Sequence, residues 1–169
     1  LGMDMAIDEI EAWVARVERG SDWLWNDAVD GYCARDIRTG TFSDAITNAS
    51  ALCFYAGVGT PEQNQLMEAH CRRILDASSY GMPSWDPEHP AFESQRYWRG
   101  PVWAIMNHMI IIGLEDVGHH DLAERVRNDT IRLINEKGMA EYFDPKDGTG
   151  LGGMDFSWTA AIYLYLNRD

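Results

Sequence analysis

The chain has 169 residues, 46% hydrophobic and 24% charged, which suits one globular domain of ordinary size. Its formal net charge of −13 argues against nucleic acid, because no basic patch is available to neutralise phosphates; plain solubility accounts for the charge. No run of about 18 apolar residues is present to span a membrane, and the chain opens on Leu1 without a signal-peptide pattern, so a fragment or processed product is expected.

In chain order, the first predicted helix runs from about Asp4 to Glu18. Ile10, Trp13, Val14 and Val17 form one apolar stripe at helical spacing, opposite a charged face. From Gly20 to Phe42 a small hairpin is plausible, with Trp23-Leu24-Trp25 and Gly31 to Ile37 as short strands. A second helix, about Ser43 to Ala56, carries Asp44 as its only charge. Pro61 opens a third at its first position, running to about Asp76 with Met67, Cys71, Ile74 and Leu75 facing inward. A long loop, Ser78 to Gly100, leads to a fourth helix from Pro101 to about Val117. That helix is apolar nearly all round and therefore reads as buried. A fifth, His119 to Lys137, is heavily charged, and a sixth, Phe156 to Asn167, has no internal charge.

Charged and apolar helices thus alternate. Links from charged to apolar helices are long and aromatic, while the return links are short. This predicts an all-α chain of stacked helical hairpins, an outer wet ring around an inner dry one, with the long loops gathered on one face. The plainer alternative is a compact six-helix bundle. Three hairpins make only half a toroid, whose inner flanks call for a second half or a second copy. Cys33, Cys53 and Cys71 form no CxxC pair and read as reduced core thiols, which favours a cytoplasmic setting. Trp23, Trp25, Trp85 and Trp98 fall in loop stretches, where aromatic rings point weakly to sugar binding.

The stretch Gly138 to Thr159 places one carboxylate, Glu141, among apolar and aromatic neighbours. Asp144-Pro145 and Asp147-Gly148 follow as turns, and Asp155 and Ser157 offer caps for the last helix. Taken with Tyr97-Trp98-Arg99-Gly100-Pro101-Val102-Trp103, the segments Glu141-Tyr142-Phe143-Asp144-Pro145 and Phe156-Ser157-Trp158-Thr159-Ala160 resemble the C-terminal part of glycoside hydrolase family 63 and its mannosylglycerate and glucosylglycerate hydrolase relatives. The resemblance covers roughly the whole chain, 1–169. It implies half of an (α/α)6 barrel and inverting hydrolysis of a small α-glucoside or α-mannoside, or of a short oligosaccharide. It also implies Glu141 as general base and Tyr97, Trp98, Gly100 and Trp103 as substrate contacts.

The general acid that the resemblance implies lies in an aspartate loop absent from this chain. The chain by itself is therefore expected to be inactive and to pack against a missing N-terminal half or a second copy. Asp86, Glu93 and Asp155 also fall on the loop face; Asp86, between Trp85 and Pro87, is the best substitute acid and Asp155 reads better as a cap. The rival reading is a non-catalytic sugar-binding or interaction half barrel. Glycoside hydrolysis needs no organic cofactor. His119-His120 lacks a third ligand at useful spacing, so no metal site is expected, and Gly148 to Gly153 follows no strand, unlike a phosphate loop.

Overall fold

The computed structural model describes residues 2–168. Six α-helices carry the described fold: α1 (Gly2–Ser21), α2 (Leu52–Ala56), α3 (Pro61–Asp76), α4 (Ala104–Asp116), α5 (His120–Lys137) and α6 (Ser157–Leu166). Two antiparallel ribbons of two-residue strands accompany them, β1 (Trp25–Asn26) with β2 (Gly31–Tyr32) and β3 (Tyr142–Phe143) with β4 (Gly150–Leu151).

The helices form two layers. Apolar α4 packs against α2, α5 and α6, and its residues are buried or half-buried apart from the last two. Outside this row, charged α3 and α5 are joined by Arg72–Asp121 at 2.7 Å and Arg125–Asp76 at 2.7 Å. The architecture is half of an (α/α)6 barrel, as the resemblance implies and in keeping with the alternation of charged and apolar helices. Phe54, Met67, Ile74, Leu75, Ile110, Ile111, Leu114, Leu122 and Leu133 fill the space between the layers. The three cysteines are free and buried. Burial pushes the Cys53 thiol up to about 12 and raises Cys71 too, which keeps both unreactive. No helix among the described residues is long and apolar enough to cross a membrane.

Local signals explain which boundaries match expectation. The α3 start does, because Thr60 and Gln63 form a reciprocal capping box around Pro61. The α2 start does not. Thr47 and Ser50 bond each other's backbone N–H groups through their hydroxyls, at 3.0 and 3.3 Å, and Thr47 bridges to Trp85, so 47–51 form turns and only the last five residues are helical. The α4 start also shifts. Val102 is bridged to both Pro83 and Phe143, so Pro101 to Trp103 is extended and the helix begins at Ala104. The expected hairpin is present but shorter, preceded by a 3-10 turn at Asp22–Leu24. The α1 stripe is a further departure. Ile10, Trp13, Val14 and Val17 remain more than half exposed; the principal described contacts of α1 are with the 3-10 turn that follows it.

Candidate active site

Glu141 is held through its backbone neighbours before its own side chain is considered. Helix α5 ends at Lys137, and the chain then passes the first turn of α6. There Phe156 N–H donates to Met139 O at 2.8 Å and Thr159 Oγ1 donates to Ala140 O at 2.7 Å. Glu141 N–H donates to Gly153 O at 2.8 Å. Beyond it, Phe143 and Val102 exchange two backbone bonds of 2.8 and 3.0 Å. The segment 139–143 is thus stitched to α6, to the β4 side and to the entry of α4. The Glu141 side chain is half-buried, and its Oε2 accepts from Gly153 N–H at 3.2 Å. Among the described residues no donor reaches Oε1.

An aromatic stack lies beside this carboxylate. Trp98 stacks on Trp103 with centroids 4.2 Å apart and planes 5° apart, and Trp103 in turn lies 4.8 Å from Tyr142 at 23°. Tyr97 meets Trp98, Trp103 and Tyr142 edge-on. A Cβ on Gly152 would sit 2.4 Å from Glu141 Oε2 and 2.7 Å from a Tyr142 ring carbon, so the carboxylate and the end of the stack are immediate neighbours.

The four expected substrate contacts divide into two pairs. Tyr97 and Trp98 are 50% and 45% exposed and present ring surface to solvent. Trp103 is buried beneath them, and its Nε1–H donates to Tyr97 O at 3.1 Å. Gly100 is buried as well, where a Cβ would come within 2.0 Å of Glu93 O. Its N–H donates to Ser84 Oγ at 2.9 Å. Tyr97 holds φ at +34°, an unfavourable backbone for a bulky side chain. The Gly100 close approach and the Trp103 bond hold it there.

The other carboxylates on this face are engaged by protein partners or stand apart from Glu141. Asp86 receives both terminal nitrogens of Arg73, at 3.0 and 2.6 Å. Burial pushes its carboxyl up, but the Arg73 bonds outweigh this and hold it below the usual range, so it is kept ionised and is unsuited to donate a proton. Glu93 pairs with Arg96 at 2.9 Å and Arg99 at 3.4 Å. Asp155 is exposed in the left-handed region, with φ +54°, and does not cap α6; the N-cap is Phe156, without a side-chain bond. Asp144 is buried and accepts from Ser94 and Gln95. The unblocked N-termini of α4 and α6 add positive potential near the Glu141 segment. His119 lies against Glu68 and Phe54, and the described residues contain no group of three His, Cys, Asp or Glu fit to hold a metal. An apolar cavity of about 350 Å³ lies elsewhere, lined by Val17, Leu24, Tyr32, Leu52, Cys53 and Val58. Its lining holds no carboxylate.

Sequence reasoning missed Tyr142, Gly152, Gly153 and Asp144 as parts of this site. Only the adjacency of Tyr142 and Asp144 to Glu141 signalled them.

Residues 1–159 match the family described as the mannosylglycerate hydrolase MGH1-like glycoside hydrolase domain. Mannosylglycerate hydrolase MGH1 of Selaginella moellendorffii is 43% identical over 156 residues, covering 92% of this chain and 32% of that protein. Mannosylglycerate hydrolase of Thermus thermophilus is 40% identical over 162 residues, covering 95% of this chain and 39% of that protein. A crystal structure of a mannosylglycerate hydrolase from Thermus thermophilus in complex with glucose superposes with a TM-score of 0.90 at 38% identity, covering 95% of this chain and 41% of that one. The chain therefore spans less than half the length of the relatives it matches.

Proposed function

The chain belongs to the mannosylglycerate hydrolase MGH1-like glycoside hydrolase family, and from that premise we propose that it is the C-terminal part of an (α/α)6 glycosidase catalytic domain. In this reading it supplies the general base and part of the sugar site of an inverting α-glycoside hydrolase. The substrate class is a small α-mannoside or α-glucoside, such as mannosyl- or glucosyl-glycerate, or a short oligosaccharide. The observation that carries the reading is Glu141 itself: a carboxylate with one oxygen fixed by Gly153 and the other free, set against an exposed aromatic pair.

In the reaction, Glu141 Oε1 takes a proton from a water that attacks the anomeric carbon. A carboxylic acid on the other side of the sugar protonates the leaving oxygen. The two groups stand about 6.5–9.5 Å apart to admit that water, and the product inverts. The apolar ring faces of Tyr97 and Trp98 hold the pyranose, and Trp103 and Gly100 support them from below. The acid comes from outside this chain, since Asp86, Glu93 and Asp144 are already engaged. The chain alone is accordingly inactive, and its partner is the rest of the barrel. Three buried thiols favour a reducing, cytoplasmic setting.

The test is proton NMR of the longest native form with an α-mannosyl or α-glucosyl glycerate. The β-anomer appears first if hydrolysis inverts. Glu141→Gln keeps the size and the Gly153 bond but accepts no proton. Loss of a general base removes on the order of 10²–10⁴ in rate, with substrate still bound. Near-normal turnover by that variant would sink the assignment.

A further inference from the structure

We infer that Asp144 is a positioning residue, a buried carboxylate that fastens the sugar-contact loop to the segment bearing the base. The inference rests on the reading of Glu141, Tyr97 and Trp98 given above, and it concerns a group that the hydrolytic step does not use.

Asp144 is 3% exposed. On its own side it is built rigidly into the β3–β4 turn. Its N–H donates to Thr149 O at 2.9 Å, its carbonyl accepts from Gly148 N–H at 2.9 Å, and its Oδ1 accepts from Lys146 N–H at 2.9 Å. Its other oxygen, Oδ2, points away from that turn and accepts from Ser94 Oγ at 3.0 Å and Gln95 Nε2 at 2.9 Å. No arginine or lysine among the described residues lies within ion-pair distance, so these three donors are what offset the burial of the group.

The loop on the far side is a closed excursion. Glu93 N–H donates to Arg99 O at 3.0 Å, which brings its ends together, and Arg96 and Tyr97 bond back to Glu93 O and Gln95 O. Residues 95–98 are exposed. Between its closed ends, the described side-chain bonds that reach it from the body of the protein are the Trp103 bond to Tyr97 O and the pair to Asp144. Trp103 holds the loop from beneath. Asp144 holds it from the side, in register with Glu141 three residues earlier on the same segment. Without the second tether a loop with a left-handed Tyr97 can relax, and the Trp98 face leaves the carboxylate's vicinity. The chemical step, which depends on Glu141 and its Gly153 bond, is untouched.

This gives a signature distinct from simple destabilisation. Gln95→Ala removes one exposed donor and leaves the buried carboxylate with two. In the longest native form it raises KM about tenfold, as expected for one bond to a charged acceptor, and leaves kcat within a small factor. Asp144→Asn, which places an N–H₂ against either Lys146 N–H or the two loop donors, raises KM further. Combining it with Gln95→Ala adds nothing, because both act through one tether. Acrylamide quenching of Trp98 fluorescence, taken as the difference from Trp98→Phe, increases in both variants. Unchanged KM with lowered kcat, additive effects, or unchanged quenching would each overturn the tether. The quenching needs no turnover. An unsubstituted protein that hydrolyses nothing overturns the glycosidase reading, while increased quenching in the variants still supports the tether.

Discussion

Glu141 owes its geometry to a residue without a side chain. Gly152 sits at φ +71°, and any Cβ there would meet Glu141 Oε2 at 2.4 Å and the Tyr142 ring at 2.7 Å. Gly152→Ala therefore has two effects. The left-handed backbone costs roughly 1–2 kcal/mol of stability. The carboxylate must also move off its Gly153 bond, and displacement of about 1 Å at a reacting group removes on the order of 10² in rate. Steady-state kinetics of the longest native form should show a fall in kcat far larger than any change in KM; equal changes in both would contradict this view of Gly152. The proposed base is marked in the sequence by the resemblance that the Glu-Tyr-Phe-Asp-Pro segment carries. Gly152 is not, because nothing in the Gly148 to Gly153 run announces which side chain passes over the missing Cβ. Trp103, which the resemblance offers as a substrate contact and its place at the helix start offers as packing, has its ring covered by Trp98 and Tyr142.

Between elements, the Arg73–Asp86 pair joins outer helix α3 to the long loop that leads to Tyr97. The carboxylate side chain is 11% exposed and the guanidinium 37%, so solvent discounts the interaction. Asp86→Asn should lower the unfolding free energy at neutral pH by about 1–3 kcal/mol, less than a fully buried pair would lose. The sign with pH follows from the depressed folded value. The contribution is complete above the usual carboxylate range and disappears as pH falls through the folded value. Urea titrations of both forms should therefore diverge near neutrality and converge in acid; a gap that persists unchanged in acid would assign the effect to packing. At this scale the sequence was readable where capping chemistry is local, as at Thr60-Pro61 with Gln63. It misled where tertiary bridges override it. Pro101 looks like a helix start, yet Val102 is recruited by Phe143 and Pro83. The run 43–56 looks helical, yet its Thr and Ser hydroxyls bond the backbone in turns.

Over the whole molecule, the alternation of wet and dry helices was the most legible feature, because burial periodicity belongs to each helix separately. What alternation leaves unsaid is where the arc stops. One end is α1, whose Ile7, Ile10, Trp13, Val14 and Val17 are 50–60% exposed. The other is α6, where Trp158, Leu164 and Tyr165 are 56%, 68% and 42% exposed. Contiguous apolar surface of this kind marks an interface. The family relatives, more than twice as long, fit the proposal that the remainder of the barrel covers it. The chain in isolation then has two uncovered apolar ends and a net charge of −13 acting against their association. Sedimentation velocity should show self-association that rises with concentration and strengthens as salt screens the mutual repulsion. Val14→Lys together with Leu164→Lys should return the chain to monomer without loss of helicity, since neither side chain is buried within it. A wild-type chain that stays monomeric at high concentration and high salt would mean that these faces need no cover, and the half-barrel would have to be regarded as self-sufficient.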